Sequence, residues 1–251
     1  MLDAIQSALQ TEGLIWLIMA VLVAGVVRGF SGFGSAMIIM PVASSVLSPV
    51  EAVIFLVSAE VLGPLPNLPN SYRNGAPRDI ALLILGATLM LPVGLWCLSI
   101  MEPTAFGWLI SGIILALLVL MMTGWRYRGV LTRPIKFITG CLSGFMTGFA
   151  GIPGPPVIML YMASTLPVKM IRANFNMYLV AVDVILFPTL WLTGQLQWPI
   201  VLLGLLAGIP YLAANVVGAR LFNPDAERFF RLVAYGVIAA AALLGLPIWK
   251  G

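Results

Sequence analysis

The sequence predicts an all-α integral membrane protein built from two inverted repeats of five segments each. Three observations carry that prediction. The 251-residue chain is 61% hydrophobic and only 9% charged, with a mean hydropathy of +1.06. Soluble domains carry about 25% charged residues, so this chain cannot cover a water-facing surface. Apolar runs recur along its whole length, many approaching the roughly 20 residues that a helix needs to span a bilayer. Finally, the two halves repeat one another. Helices are the expected element because lipid leaves unpaired backbone groups unsatisfied, and the alternating pattern of a transmembrane barrel is missing.

Polar residues and Pro/Gly punctuation divide the chain into about ten apolar segments: 14–30, 34–47, 50–66, 79–99 and 104–124, then 135–149, 154–166, 169–193, 199–218 and 226–247. Segments 34–47 and 154–166 are short. About 14 residues reach only ~21 Å across a ~30 Å core, so these two are re-entrant or tilted. Each follows a Gly-rich break, 29–34 in the first half and 148–154 in the second. A shift of 119 positions lays Gly25 on Gly144, Gly29 on Gly148, Phe30 on Phe149 and Gly32 on Gly151. It also lays Ile38-Ile39-Met40 on Val157-Ile158-Met159 and Gly75 on Gly194. With small insertions Leu91-Pro92 matches Ile209-Pro210, and Glu102-Pro103 matches Asn223-Pro224. An ordered series of this kind indicates duplication, with residues 1–126 as the first membrane repeat, 127–251 as the second, and both within a single transport domain.

Eleven of the thirteen basic residues fall in loops 67–78, 125–136, 167–172 and 219–231 (Arg73, Arg78, Arg126, Arg128, Arg133, Lys136, Lys169, Arg172, Arg220, Arg228, Arg231). Alternating segments place these loops on one side, which the positive-inside rule makes cytoplasmic. The opposite side holds Asp3, Glu12, Glu51, Glu102 and Lys250. Both termini are then periplasmic, and the second half starts on the side opposite the first. The protein is expected in the bacterial inner membrane, without a cleaved signal peptide, since no basic stretch precedes the first apolar run. The net charge of +4 is a topology signal and not a nucleic-acid-binding patch. Cys97 and Cys141 have no metal or redox spacing and read as packing residues. Trp16, Trp125, Trp198 and Trp249 lie near segment ends as interfacial anchors.

Inverted repeats with short, Gly/Pro-broken segments at matching positions point to a transport site. Broken helices present N–H groups and positive dipole ends to an anion. Arg28, Glu60 and Asp183 are ionisable residues inside apolar segments, where insertion of a charge costs about 2.5–3.5 kcal/mol. Arg28 precedes the first break, and its guanidinium suits an oxyanion; the alternative is a structural pair with Glu60 or Asp183. The expected substrate site comprises Arg28, Gly29, Ser31, Gly32, Gly34 and Ser35 with Gly148, Gly151 and Gly154. Thr147 stands where Arg28 does, so charge is expected from one repeat only. Glu60 and Asp183 are candidate proton carriers, each with an asparagine seven residues away on the same helix face, Asn67 and Asn176. The GxxxG pairs Gly25/Gly29, Gly140/Gly144, Gly144/Gly148 and Gly204/Gly208 are expected at close helix contacts.

Enzyme signatures are missing: no His occurs, which removes HExxH zinc sites and Ser-His-Asp triads, and no Walker loop is present. No cofactor is expected. With Gly29-Phe30-Ser31-Gly32-Phe33-Gly34 and Met40-Pro41 in one half, and Gly148-Phe149-Ala150-Gly151-Ile152-Pro153-Gly154 with Pro155-Pro156 in the other, the chain resembles the sulfite exporter TauE/SafE family of permeases over nearly its full length. That resemblance implies export of sulfite, organosulfonates or related small organic anions, with a sulfur oxyanion or sulfonate as substrate. The carboxylates Glu60 and Asp183 make the proton the expected coupling ion, and the apolar composition makes the lipid bilayer the surroundings. An anion channel would use the same breaks as a filter without coupling carboxylates. A membrane-assembly protein would explain the hydrophobicity but not the broken segments.

Overall fold

The computed structural model describes residues 13–123, 131–162, 166–221, 223 and 226–249. The helices are α1 (Leu14–Ser31), α2 (Ser35–Val46), α3 (Pro49–Glu60), α4 (Leu68–Asn74), α5 (Pro77–Ser99) and α6 (Pro103–Met122), followed by α7 (Arg133–Ala150), α8 (Gly154–Met162), α9 (Val168–Leu192), α10 (Trp198–Leu221) and α11 (Glu227–Leu244). Short 3-10 turns cover Leu65–Asn67 and Pro247–Trp249. No strand occurs among the described residues. The loop cations Arg126 and Arg128, together with Asp3, Glu12, Trp125, Pro224 and Lys250, lie outside the described residues, as do residues 163–165 of the second short segment.

Local chemistry sets the helix ends. α3 opens with one half of a capping box: the Glu51 carboxylate accepts from the Ser48 backbone N–H at 2.9 Å and also from the Ser48 hydroxyl at 2.7 Å, and Pro49 occupies the first helical position. Sequence patterning ran this segment to residue 66, but the helix stops at Glu60. Gly63, Pro64 and Pro66 follow at once, and each proline lacks the N–H that would continue the ladder. Asn67 therefore sits in the 3-10 turn and is exposed, so it shares no helix face with Glu60. Asn176 and Asp183 both lie in the uninterrupted α9. α1 and α7 begin and end 119 residues apart, the offset of the sequence repeat.

α1, α5, α6, α9 and α10 are each long and apolar enough to cross a membrane. α7 and α11 have 18 residues each but open on Arg133 and Lys136, and on Arg228 and Arg231. Large apolar side chains such as Leu22, Leu89, Ile209, Val216 and Leu232 point outward from mid-helix. Water would penalise that surface, whereas lipid does not. Trp16 and Trp198 are exposed at the starts of α1 and α10. The protein is a multi-pass membrane protein.

The chain forms two compact units, each drawing on both sequence halves. The first holds residues 1–60, 101–123 and 197–251; the second holds 61–100 and 124–196. In the first unit α10 packs along α1 and α3, while α11 packs on α2 and α6. In the second, α7 packs along α5, and α9 on α4 and α5. Glycines set both main crossings. A Cβ at Gly29 would collide with the Asn215 carbonyl oxygen of α10, and one at Gly148 with the Leu91 carbonyl oxygen of α5. All four GxxxG pairs lie at such contacts.

Candidate functional site

The first Gly-rich break belongs to the first compact unit. α1 ends when Gly32 turns left-handed (φ 78°), a conformation that needs no Cβ, and its N–H returns to the Arg28 carbonyl at 2.7 Å. Gly34 (φ 89°) precedes α2, whose first turn has no side-chain cap. The Ser31 hydroxyl oxygen contacts the Val27 carbonyl at 2.7 Å and the Phe33 carbonyl at 2.8 Å, and accepts from the Phe33 N–H at 3.3 Å. Its single proton serves the turn. Ser35 instead faces the cation: Arg28 Nη1 donates to Ser35 Oγ at 3.2 Å.

The same nitrogen donates to Glu60 Oε2 at 3.0 Å, and each of the two charged side chains is 16% exposed. Of the two partners the sequence allowed for Arg28, the structure supplies Glu60. Glu60 Oε1 has no hydrogen-bond partner among the described residues. Tyr211 of α10 completes the cluster, fully buried beside Arg28, Ser35 and Glu60. Sequence patterning does not single out Tyr211, because one tyrosine in an apolar helix reads as core.

The second break, in the second compact unit, is built differently. α7 ends at Gly151 (φ 66°), whose N–H bonds the Thr147 carbonyl at 2.8 Å, while the Ile152 N–H reaches Met146 at 3.3 Å. Pro153, Pro155 and Pro156 have no N–H to offer, so this break presents far fewer donors than its counterpart. Ser143 donates to the Pro153 carbonyl at 2.6 Å and accepts from the Tyr178 hydroxyl at 2.7 Å. Thr147, at the position matching Arg28, bonds the Ser143 carbonyl at 2.7 Å and is buried. Gly148 packs against α5, and Gly154 lies beside the Phe175 ring.

Asn176 donates to the Pro64 carbonyl and to Ser71 Oγ, both at 3.1 Å. It thereby ties α9 to the broken stretch before α4. Asp183 is half-buried in mid-α9. Asp79 pairs with Lys136 at 2.9 Å, joining α5 to α7. The remaining described loop cations, Arg73, Arg78, Arg133, Lys169, Arg172, Arg220, Arg228 and Arg231, are exposed.

What these features assemble is a partly buried cation at a broken helix, paired with Glu60 and with hydroxyls around it, inside an apolar bundle. Such a constellation offers the positive charge and directed donors that an anion needs, and among the described residues it includes no paired acid and base of hydrolytic chemistry. The model of the sulfite exporter TauE/SafE family matches residues 17–244. A relative from Cupriavidus necator, described as a probable sulfite/organosulfonate exporter TauE, is 27% identical over 234 residues, covering 86% of this chain and 88% of its own. No solved structure matches. This chain belongs to the sulfite exporter TauE/SafE family, whose members are membrane transporters and not enzymes.

Proposed function

We propose that this transporter exports sulfite, organosulfonates or related small organic anions across the bacterial inner membrane in exchange for or together with protons. The observation that carries the reading is the Arg28 guanidinium, held at a break between two helices by Glu60 and Ser35. An ion pair in an apolar bundle is costly to keep unless it acts. Arg28 supplies charge for an oxyanion, the first turn of α2 supplies N–H groups, and Glu60 and Asp183 are the proton carriers.

Proteoliposomes loaded with sulfite or methanesulfonate test this under an imposed pH gradient. Saturable, gradient-dependent flux is expected, reduced several-fold in Glu60→Gln and Asp183→Asn. Flux indifferent to the gradient in wild type and both variants would make the protein a channel, and no flux at all would favour an assembly role.

The proposed topology has both termini in the periplasm and two halves of inverted orientation. The partition of loop cations and the 119-residue repeat support it. Reporter fusions at Gly129, which lies outside the described residues, and at Gly194 should read cytoplasm and periplasm respectively. The same side at both positions would overturn the inverted arrangement.

A further inference from the structure

Tyr211 holds its hydroxyl in the buried interior of the first unit. The residue is 0% exposed. Its backbone is pressed against α1, since a Cβ on Gly25 would come within 2.6 Å of the Tyr211 carbonyl oxygen, one turn before Arg28. The hydroxyl lies close to Ser35 and Arg28 but outside hydrogen-bond geometry, and has no partner among the described residues. Glu60 Oε1, in the same cluster, also has none. A buried donor and a buried acceptor are thus both unused within one site. Buried polar groups are ordinarily bonded, and exceptions call for a ligand or a function.

The donors outnumber the acceptors. Arg28 contributes N–H groups, Ser35 accepts from Arg28 and keeps its own proton to donate, Tyr211 has its O–H, and the uncapped first turn of α2 begins at Ser35. Glu60 is the anionic side chain in this set. Groups that face it come from the helices packed around it. α2 carries no ionisable residue, and the other acid of α3, Glu51, is occupied at the opposite helix end by Ser48. From α1 and α10, Arg28 and Tyr211 face it.

We infer that Tyr211 is a substrate ligand, and that a compact oxyanion takes the place of the Glu60 carboxylate on Arg28 while Glu60 takes up a proton. This rests on the anion-transport reading above and specifies its site. A second full negative charge beside one guanidinium in an apolar bundle is unfavourable. Protonation of Glu60 removes that conflict and turns its carboxyl into a further donor. An anion with three oxygens on one centre can then accept from Arg28, Ser35 and Tyr211 at once, which a sulfonate head or sulfite offers and a halide does not. Glu60 ends α3 just before the Gly63-Pro64 turn, so its side chain can leave Arg28 without breaking a helix.

Calorimetry of methanesulfonate binding to the purified full chain, run in buffers of differing protonation enthalpy, tests the proposal. Wild type should take up about one proton per anion bound near neutral pH. Tyr211→Phe should bind roughly tenfold more weakly with proton uptake retained, whereas Glu60→Gln should bind with none. Tyr178→Phe, a buried hydroxyl in the other unit, should leave affinity unchanged. Wild-type affinity in Tyr211→Phe, or wild-type binding without proton uptake, overturns the inference while leaving the transport reading standing. Failure of wild type to bind either methanesulfonate or sulfite sinks both.

Discussion

Arg28→Ala should severely weaken sulfonate binding and also lower stability, and the two losses can be separated. The truncation leaves Glu60 partly buried without its ionic partner. Breaking one side of a buried pair costs about 3–5 kcal/mol, and the 16% exposure of both side chains argues for the lower end of that range. Charge-assisted hydrogen bonds contribute about 1.5–3 kcal/mol each, so losing the guanidinium weakens anion binding by at least roughly ten- to a hundredfold. Arg28→Lys keeps the charge but not the fork and should fall between wild type and alanine. The double variant Arg28→Ala/Glu60→Gln removes both charges and should regain most of the melting temperature without regaining binding. Melting curves and methanesulfonate titrations on the four proteins decide the matter. Recovery of binding in the double variant, or equal affinities throughout, would reduce Arg28 to a structural partner of Glu60.

The parts of this site written in local sequence were legible, and the parts made by long-range packing were not. The breaks at 29–34 and 148–154 could be read from glycine and proline alone, and α1 and α7 end within them, at Ser31 and Ala150. The scarcity of donors in the second break follows from Pro153, Pro155 and Pro156, residues without an N–H. The stop after Glu60 was equally local, since Gly63, Pro64 and Pro66 mark it, yet the apolar run on either side hid it. The Arg28–Glu60 pair joins residues 32 apart, and apolar periodicity does not say which intramembrane acid a cation meets. Tyr211 enters the cluster from α10, far along the chain, because α10 crosses α1 at Gly25. The Ser31 hydroxyl looked like a substrate donor by proximity to the break, but its neighbours Val27 and Phe33 occupy it. Asn176 shares its helix with Asp183 as expected, and its bonds to Pro64 and Ser71 come from long-range packing that local sequence does not show.

Gly29→Ala and Gly148→Ala should each unsettle one compact unit while leaving the other largely intact. In both cases the added methyl meets backbone: Asn215 and Ala219 of α10 for Gly29, Leu91 and Leu95 of α5 for Gly148. A flexible side chain could yield, but a helix backbone can only move as a whole, which separates the paired helices and weakens every contact along the crossing. Overpacking costs about 1–3 kcal/mol, occasionally more, and rigid neighbours place these two at the upper end. In membranes, close backbone approach is itself a main source of helix association, because lipid supplies no hydrophobic drive. Gly112→Ala and Gly236→Ala are the matched comparison, as a Cβ at either position meets nothing within 4 Å. Those two should be neutral or slightly stabilising, by up to about 1 kcal/mol from helix propensity. The Gly29 variant should also lose methanesulfonate affinity, since the crossing of α1 and α10 holds Arg28 and Tyr211 together. Melting temperatures of the four variants, with titration of Gly29→Ala, provide the test. If Gly29→Ala and Gly236→Ala melt alike, the tight crossing is not what positions the anion site.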